Sequence, residues 1–139
     1  MDQITRHLTN SEHLLIVSHA HMDGDAVGSL LATGLAMAMV SERVTICCET
    51  PVPAVYRFLP SSDCIVGTIN DSDTFDTVIV LDCGDLDRIG NLLPHICGIP
   101  VLINIDHHVT NTGFGDYQLV DTTASATAEI VYRLIKKIN

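Results

Sequence analysis

The chain has no tryptophan, only three tyrosines and three phenylalanines, and only two lysines, Lys136 and Lys137, side by side near the C-terminus. So few aromatics exclude a stacking platform of the kind that grips unstructured nucleic-acid strands. Seven Lys plus Arg against seventeen Asp plus Glu leave a formal charge of −10. That excludes the broad basic surface needed to hold duplex nucleic acid, because such binding rests on many cations displacing counterions from phosphates. A phosphorylated ligand is not excluded, since bound metal ions supply positive charge that the side chains lack.

Ordered cysteine spacing is also missing. Cys47, Cys48, Cys64, Cys83 and Cys97 are odd in number, include an adjacent pair and form no C-x-x-C. Neither a disulfide framework nor a zinc ribbon fits, and reduced core thiols are expected. No apolar run approaches the roughly 20 residues of a membrane span; the longest, residues 30–40, is interrupted by Thr33 and Gly34. The first residues lack the apolar core of a signal peptide. A cytoplasmic protein with no membrane partner is the expectation, and 139 residues suffice for one domain.

What is present is an alternation of short β-rich runs and helical patterns, the signature of a parallel sheet with crossover helices. Residues 2–10 and 24–40 read as helices, the second nearly apolar all round and so well buried. Residues 13–18, 43–48, 63–68, 77–82 and 100–105 read as strands, and 117–120 as a short extended segment. Residues 86–96 read as a helix that Pro94 bends or ends, and 124–138 as a closing helix. Pro51, Pro53 and Pro60 bracket a loop with one helical turn around residues 54–58. His7, His13 and His95 read as surface or helix-end residues, Met37 and Met39 as core, and Asp71, Asp73 and Asp76 as a solvated acidic loop.

The chemistry gathers at three strand ends. The first strand runs into His19-Ala-His21-Met-Asp23-Gly-Asp25, the strand ending near residue 82 into Asp82-Cys-Gly-Asp85, and the strand ending near 105 into Asp106-His107-His108. In an open parallel sheet these carboxyl ends share the edge where ligands bind. Carboxylates brought together in a water-poor cleft repel, and divalent cations relieve the repulsion. Any one of these acids alone is explained as a helix N-cap, but the joint pattern is not. Imidazoles mixed with carboxylates suit Mn²⁺ or a similar first-row ion better than structural zinc. His19, Asp23, Asp25, Asp82 and His107 are enough ligands for two ions. His21 reads as a solvated loop residue or a supporting partner of a ligand rather than a ligand itself.

In its residues His19-x-x-x-Asp23-Gly-Asp25-Ala-Val-Gly-Ser29, Asp82 and Asp106-His107-His108-Val-Thr-Asn111, the chain resembles the first three motifs of the DHH phosphoesterase superfamily. The segments Phe114-Gly-Asp116, Leu119-Val-Asp121 and Ala124-Ser-Ala-Thr-Ala-Glu129 are most similar to its oligoribonuclease and pAp phosphatase (nanoRNase) branch. The resemblance implies a three-layer, Rossmann-like α/β domain with helices on both faces of a parallel sheet. It implies that His19 and Asp23 hold one Mn²⁺, Asp25 and His107 the other, and that Asp82 bridges them. It places His108 against the substrate phosphate, Asp106 behind the imidazoles, and Arg88 as a phosphate contact. It implies a Mn²⁺-dependent phosphoesterase using a two-metal-activated hydroxide on short oligoribonucleotides or 3′-phosphoadenosine 5′-phosphate. Relatives acting on cyclic dinucleotides, pyrophosphate or polyphosphate, and a non-catalytic metal- or nucleotide-binding fragment, are the alternatives. The family continues to a fourth motif and a DHHA1 domain, so residues 1–139 are expected to be a DHH domain truncated before both, inactive alone and able to self-associate into a homo-oligomer. Asp116 or Asp121 is the alternative source of the fourth-motif ligand.

Overall fold

The computed structural model describes residues 1–138. Six strands form one sheet in the order β3-β2-β1-β4-β5-β6, and every pairing is parallel. They are β1 (His13–Ser18), β2 (Arg43–Cys47), β3 (Ile65–Val66), β4 (Thr77–Leu81), β5 (Val101–Asp106) and β6 (Tyr117–Val120). β1 and β4 are buried along their whole length, which is why both read as unbroken apolar runs. This is the doubly wound order, and the chain changes direction across the sheet between β1 and β4. Ligands in such sheets bind at the carboxyl ends beside that switch point.

Alternation along the strands builds two cores. Leu14, Ile16, Ile79, Leu81, Ile103 and Ile105 pack on one face with residues of α1 (Asp2–Asn10), α2 (Gly24–Met37) and α4 (Thr127–Ile138). Leu15, Val17, Val78 and Val80 face the other side, against Ile89, Leu92 and Ile96. The expected three layers are present but unequal. The second face is covered by a 3₁₀ segment (Leu86–Leu92) and the one-turn helix α3 (Leu93–Ile96) rather than by one continuous helix. Gly90 breaks the expected helix: its φ is +76°, and a Cβ there would overlap the Glu49 carboxylate. Pro94 does not end a helix but sits in the first turn of α3, where its missing N–H costs nothing.

Other expectations are corrected at their edges. α2 stops at Met37 because residues 38–41 fold into tight turns, with the N–H groups of Val40 and Ser41 both donating to the Met37 carbonyl. Met37 is buried, but Met39 is 77 % exposed and is not core. The strand expected over 63–68 pairs only at Ile65 and Val66, and the closing helix begins at Thr127. Cys47, Cys48 and Cys83 are buried free thiols, whereas Cys64 and Cys97 are free but exposed. No helix among the described residues is long and apolar enough to cross a membrane.

Two residues read as surface groups are structural. His13 is buried, stacks on Phe75 at 4.3 Å between ring centroids, and bonds Thr45 Oγ1 through Nε2 at 3.1 Å. Asp76 accepts from Ser11 Oγ (2.5 Å) and from the backbone N–H groups of Glu12 (2.7 Å) and His13 (3.0 Å). It thereby fixes the start of β1 beside β4. Partial burial raises its pKa, but these donors outweigh burial and hold it below the usual carboxylate value. A depressed native pKa adds stability that is present above the unfolded pKa and lost as pH falls through the native one. Asp76→Ala is therefore expected to cost about 1–3 kcal/mol at neutral pH, with the difference from wild type shrinking below about pH 4. Urea unfolding of both proteins across that range checks it.

Candidate metal centre

β1 ends at Ser18, β4 at Leu81 and β5 at Asp106, so all three motifs reach the same sheet edge. Asp82 lies at the meeting point. It is 1 % exposed and has a φ of +54°, a left-handed backbone that Asp tolerates better than most residues but that still costs of order 1 kcal/mol. Its N–H donates to the Ile105 carbonyl at 3.0 Å, tying the turn to β5.

The imidazoles stand around this carboxylate at nearly equal spacing. His19 Nε2 is 3.7 Å from Asp82 Oδ2, His107 Nε2 is 3.8 Å from Oδ1, and His108 Nδ1 is 3.9 Å from Oδ1. Asp25 Oδ2 lies 3.7 Å from His107 Nε2. Burial raises the Asp82 pKa, but His19, the Thr127 hydroxyl and the nearby His108 charge outweigh burial and keep the carboxyl below its ordinary value. The group is therefore an anion at neutral pH.

These spacings test whether the residues fit a cation. Separations of 3.7–3.9 Å are too long for hydrogen bonds. Those made by His19 and His107, 3.7–3.8 Å, are slightly longer than the roughly 3.0–3.5 Å between two ligand atoms that each stand about 2.1 Å from one ion, whereas His108 Nδ1 is committed to Asp106. His19, Asp23 and Asp82 form one group with ligand atoms mutually within 4.8 Å, and Asp82, His107 and His108 form a second. His19 Nδ1 is buried with no partner. His107 Nδ1 faces the Ala124 carbonyl at 3.3 Å; if Nδ1 donates there, the Nε2 lone pair points toward the carboxylates, as metal-binding imidazoles are commonly held. The donor set thus fits divalent ions.

Each expected residue can now be placed. His19, Asp23 and Asp82 come together, as do Asp82 and His107, while Asp25 approaches His107 at 3.7 Å but joins neither group. Asp23, exposed, also caps α2 by accepting from Ala26 N at 3.0 Å. Asp25 has a second task, accepting from Thr127 N (2.7 Å) and Ala128 N (2.9 Å) at the start of α4. Asp106 is fully buried, and its Oδ1 accepts from His108 Nδ1 at 2.7 Å. Arg88 is exposed in a cleft of about 240 Å³ that it shares with His19, His21 and Glu49. Asp116 and Asp121 serve elsewhere: Asp116 accepts from Leu102 N, and Asp121 pairs with Thr123 and Arg133.

Thr127 is the site residue that sequence reasoning missed. Completely buried, it donates from Oγ1 to Asp82 Oδ1 at 2.8 Å. The signal available was a β-branched hydroxyl at the first turn of a helix, where a capping role absorbs it.

A sequence profile described as the DHH family, N-terminal domain, matches residues 13–139. A Thermus thermophilus protein named bifunctional oligoribonuclease and PAP phosphatase NrnA is 32 % identical over 125 residues, covering 88 % of this chain and 36 % of that protein. A Bacillus subtilis protein of the same name is 29 % identical over 135 residues, covering 95 % and 41 %. The crystal structure of an exopolyphosphatase-related protein from Bacteroides fragilis superposes with a TM-score of 0.88 at 26 % identity, over 99 % of this chain and 43 % of the other. The chain therefore spans less than half the length of each.

A ligand that binds only the folded chain stabilises it by about 2.7 kcal/mol at a hundredfold excess over its dissociation constant. Thermal melts against a series of divalent cations are expected to show a rise in Tm of several degrees for wild type and none for His19→Ala or Asp82→Asn. An unchanged wild-type Tm across the series would count against a metal centre here.

Proposed function

The chain belongs to the DHH family as an N-terminal domain, and on that premise we propose that it is the metal-holding unit of a Mn²⁺-dependent phosphoesterase acting on short oligoribonucleotides or 3′-phosphoadenosine 5′-phosphate. The observation that carries the reading is Asp82, a buried carboxylate ringed by His19, His107 and His108 at 3.7–3.9 Å. The names of the Thermus and Bacillus relatives support the substrate class.

His19 and Asp23 would hold one ion, Asp25 and His107 the other, with Asp82 shared. Mn²⁺ is favoured over zinc by the donors, which are imidazoles and carboxylates. Cys83, the nearest thiol in sequence, is not available as a thiolate: burial pushes its pKa up to about 11 and its Sγ donates to the Asp85 carbonyl. When bound, such a pair supplies Lewis acidity toward a phosphoryl oxygen and activates water near neutral pH.

The protein's own groups do the rest. Asp106 holds the His108 ring through Nδ1, so Nε2 faces the open side of the centre and, once it carries a proton, donates to a phosphate oxygen. Arg88 lines the cleft beside His19 and offers a fixed positive charge to the phosphate. With a net charge of −10, long duplex nucleic acid is repelled, while a short substrate needs only the local charge of the centre.

Asp82→Ala and His107→Ala are each expected to abolish Mn²⁺-supported release of mononucleotide from a diribonucleotide, and of phosphate from 3′-phosphoadenosine 5′-phosphate, by at least about a thousandfold in kcat/KM. The assay uses the protein that carries this domain. Retained turnover in either variant contradicts the reading, and turnover confined to inorganic polyphosphate would move the substrate class toward the one that the Bacteroides neighbour's name implies.

A further inference from the structure

Behind Asp106 lie two side-chain amides that the phosphoesterase reading does not use. Asn104 sits in the middle of β5 and is completely buried, an expensive position for an amide unless every group is satisfied. Its Nδ2 donates to the carbonyls of Val80 (3.4 Å) and Cys83 (3.2 Å), bridging β5 to the end of β4. Its Oδ1 accepts from Asn111 Nδ2 at 2.8 Å. The same Asn111 nitrogen donates its other hydrogen to Asp106 Oδ2 at 2.7 Å. Asn111 Oδ1 accepts from the Gly113 N–H at 2.8 Å.

The orientation of both amides is thereby fixed. Flipping Asn111 would set its oxygen against Asp106 Oδ2 and Asn104 Oδ1, and its nitrogen against the Gly113 N–H. Three contacts would turn repulsive at once. The backbone supports the arrangement: Asn111 N donates to the His108 carbonyl at 3.1 Å and Thr112 N to the Gly84 carbonyl at 2.8 Å. A Cβ on Gly84 would lie only 3.5 Å from His108 Cβ and 3.6 Å from both Asn111 Cα and Asp106 Oδ2, so the loop lies directly on that residue.

We propose that Asn111, locked by Asn104, is a positioning residue that pins the Asp106 carboxylate in one rotamer and so sets which nitrogen of His108 carries the proton. With Oδ2 held by Asn111, Oδ1 is the oxygen left for His108. A carboxylate only accepts, so the proton of the neutral imidazole sits on Nδ1 and the Nε2 lone pair faces the open side of the centre. Without Asn111, the carboxylate is free to turn about its χ angles, and His108 loses the contact that selects this tautomer. Asn111 touches neither substrate nor metal ligand in this role; it acts through Asp106 and His108. The kinetic consequence rests on the phosphoesterase reading, whereas the position of the proton does not.

The test is ¹⁵N-¹H correlation of the imidazole rings in the 139-residue chain, with the His108 ring assigned by its loss in His108→Gln, recorded at about pH 8.5 where ordinary imidazoles are neutral. Wild type is expected to show His108 as the Nδ1–H tautomer. Asn111→Ala, and the isosteric Asn111→Asp, are expected to shift it to a mixture or to Nε2–H. An Nε2–H tautomer in wild type overturns the proposal without any variant being made. So does an unchanged Nδ1–H signal in a folded variant. In the intact enzyme Asn111→Ala should lower kcat about 10- to 100-fold with KM within about twofold. If wild type shows the tautomer and the variants lose it but no phosphoester is cleaved, the functional reading fails and the positioning role stands.

Discussion

Four carboxylates at one sheet edge dominate this structure. Two like charges about 4 Å apart repel by roughly 4 kcal/mol at an effective dielectric near 20, and Asp23, Asp25, Asp82 and Asp106 all reach the edge opened by β1, β4 and β5. Each is met by a separate device. Asp23 takes the Ala26 N–H, Asp25 takes those of Thr127 and Ala128, Asp82 takes the Thr127 hydroxyl, and Asp106 takes His108 and Asn111. What none of these donors does is fill the spaces between Asp82 and its imidazoles. For His19 and His107 those spaces, 3.7 and 3.8 Å, are slightly wider than the distance between two ligands of one cation.

The fold serves this arrangement through helix termini. α2 begins at Gly24 and α4 at Thr127, so two helices present their N-terminal ends, with their unpaired N–H groups and partial positive charge, to the acids. Asp25 stands at both: it lies in the first turn of α2 and caps α4 from across the sheet edge. The heavy helical layer is therefore on the face that builds the centre. The opposite face carries only the 3₁₀ segment and α3, and its contribution is the Arg88–Glu49 cleft. Gly90, with its positive φ and the Glu49 carboxylate against it, sets the path of that thin layer.

Much of this was legible in the sequence because two periodicities and three strand-end motifs all agreed. Apolar runs such as Thr77-Val-Ile-Val-Leu identify central strands by composition alone, and parallel topology then carries distant acids to one edge. The errors fall where a single residue's tertiary environment decides. Gly90 broke a helix whose apolar spacing looked sound, Met39 lies beyond a turn that no residue preference announced, and His13 is buried because Phe75 covers it. Asp76 looked like part of a solvated loop, yet three donors from the start of β1 claim it. Asn111 and Thr127 lie inside the quoted motifs, but their roles, like that of Asn104, went unread for a related reason: they depend on side-chain and backbone partners supplied by other segments.

The central claim is that the carboxylate of Asp82 lies between two divalent cations. Anomalous diffraction at the manganese edge, from crystals of the chain grown with Mn²⁺, tests it most directly. Two peaks about 3.5–4 Å apart, one beside His19 and Asp23 and the other beside His107, with an Asp82 oxygen within about 2.3 Å of each, are the predicted result. Manganese bound elsewhere, or a single peak out of reach of Asp82, would contradict it.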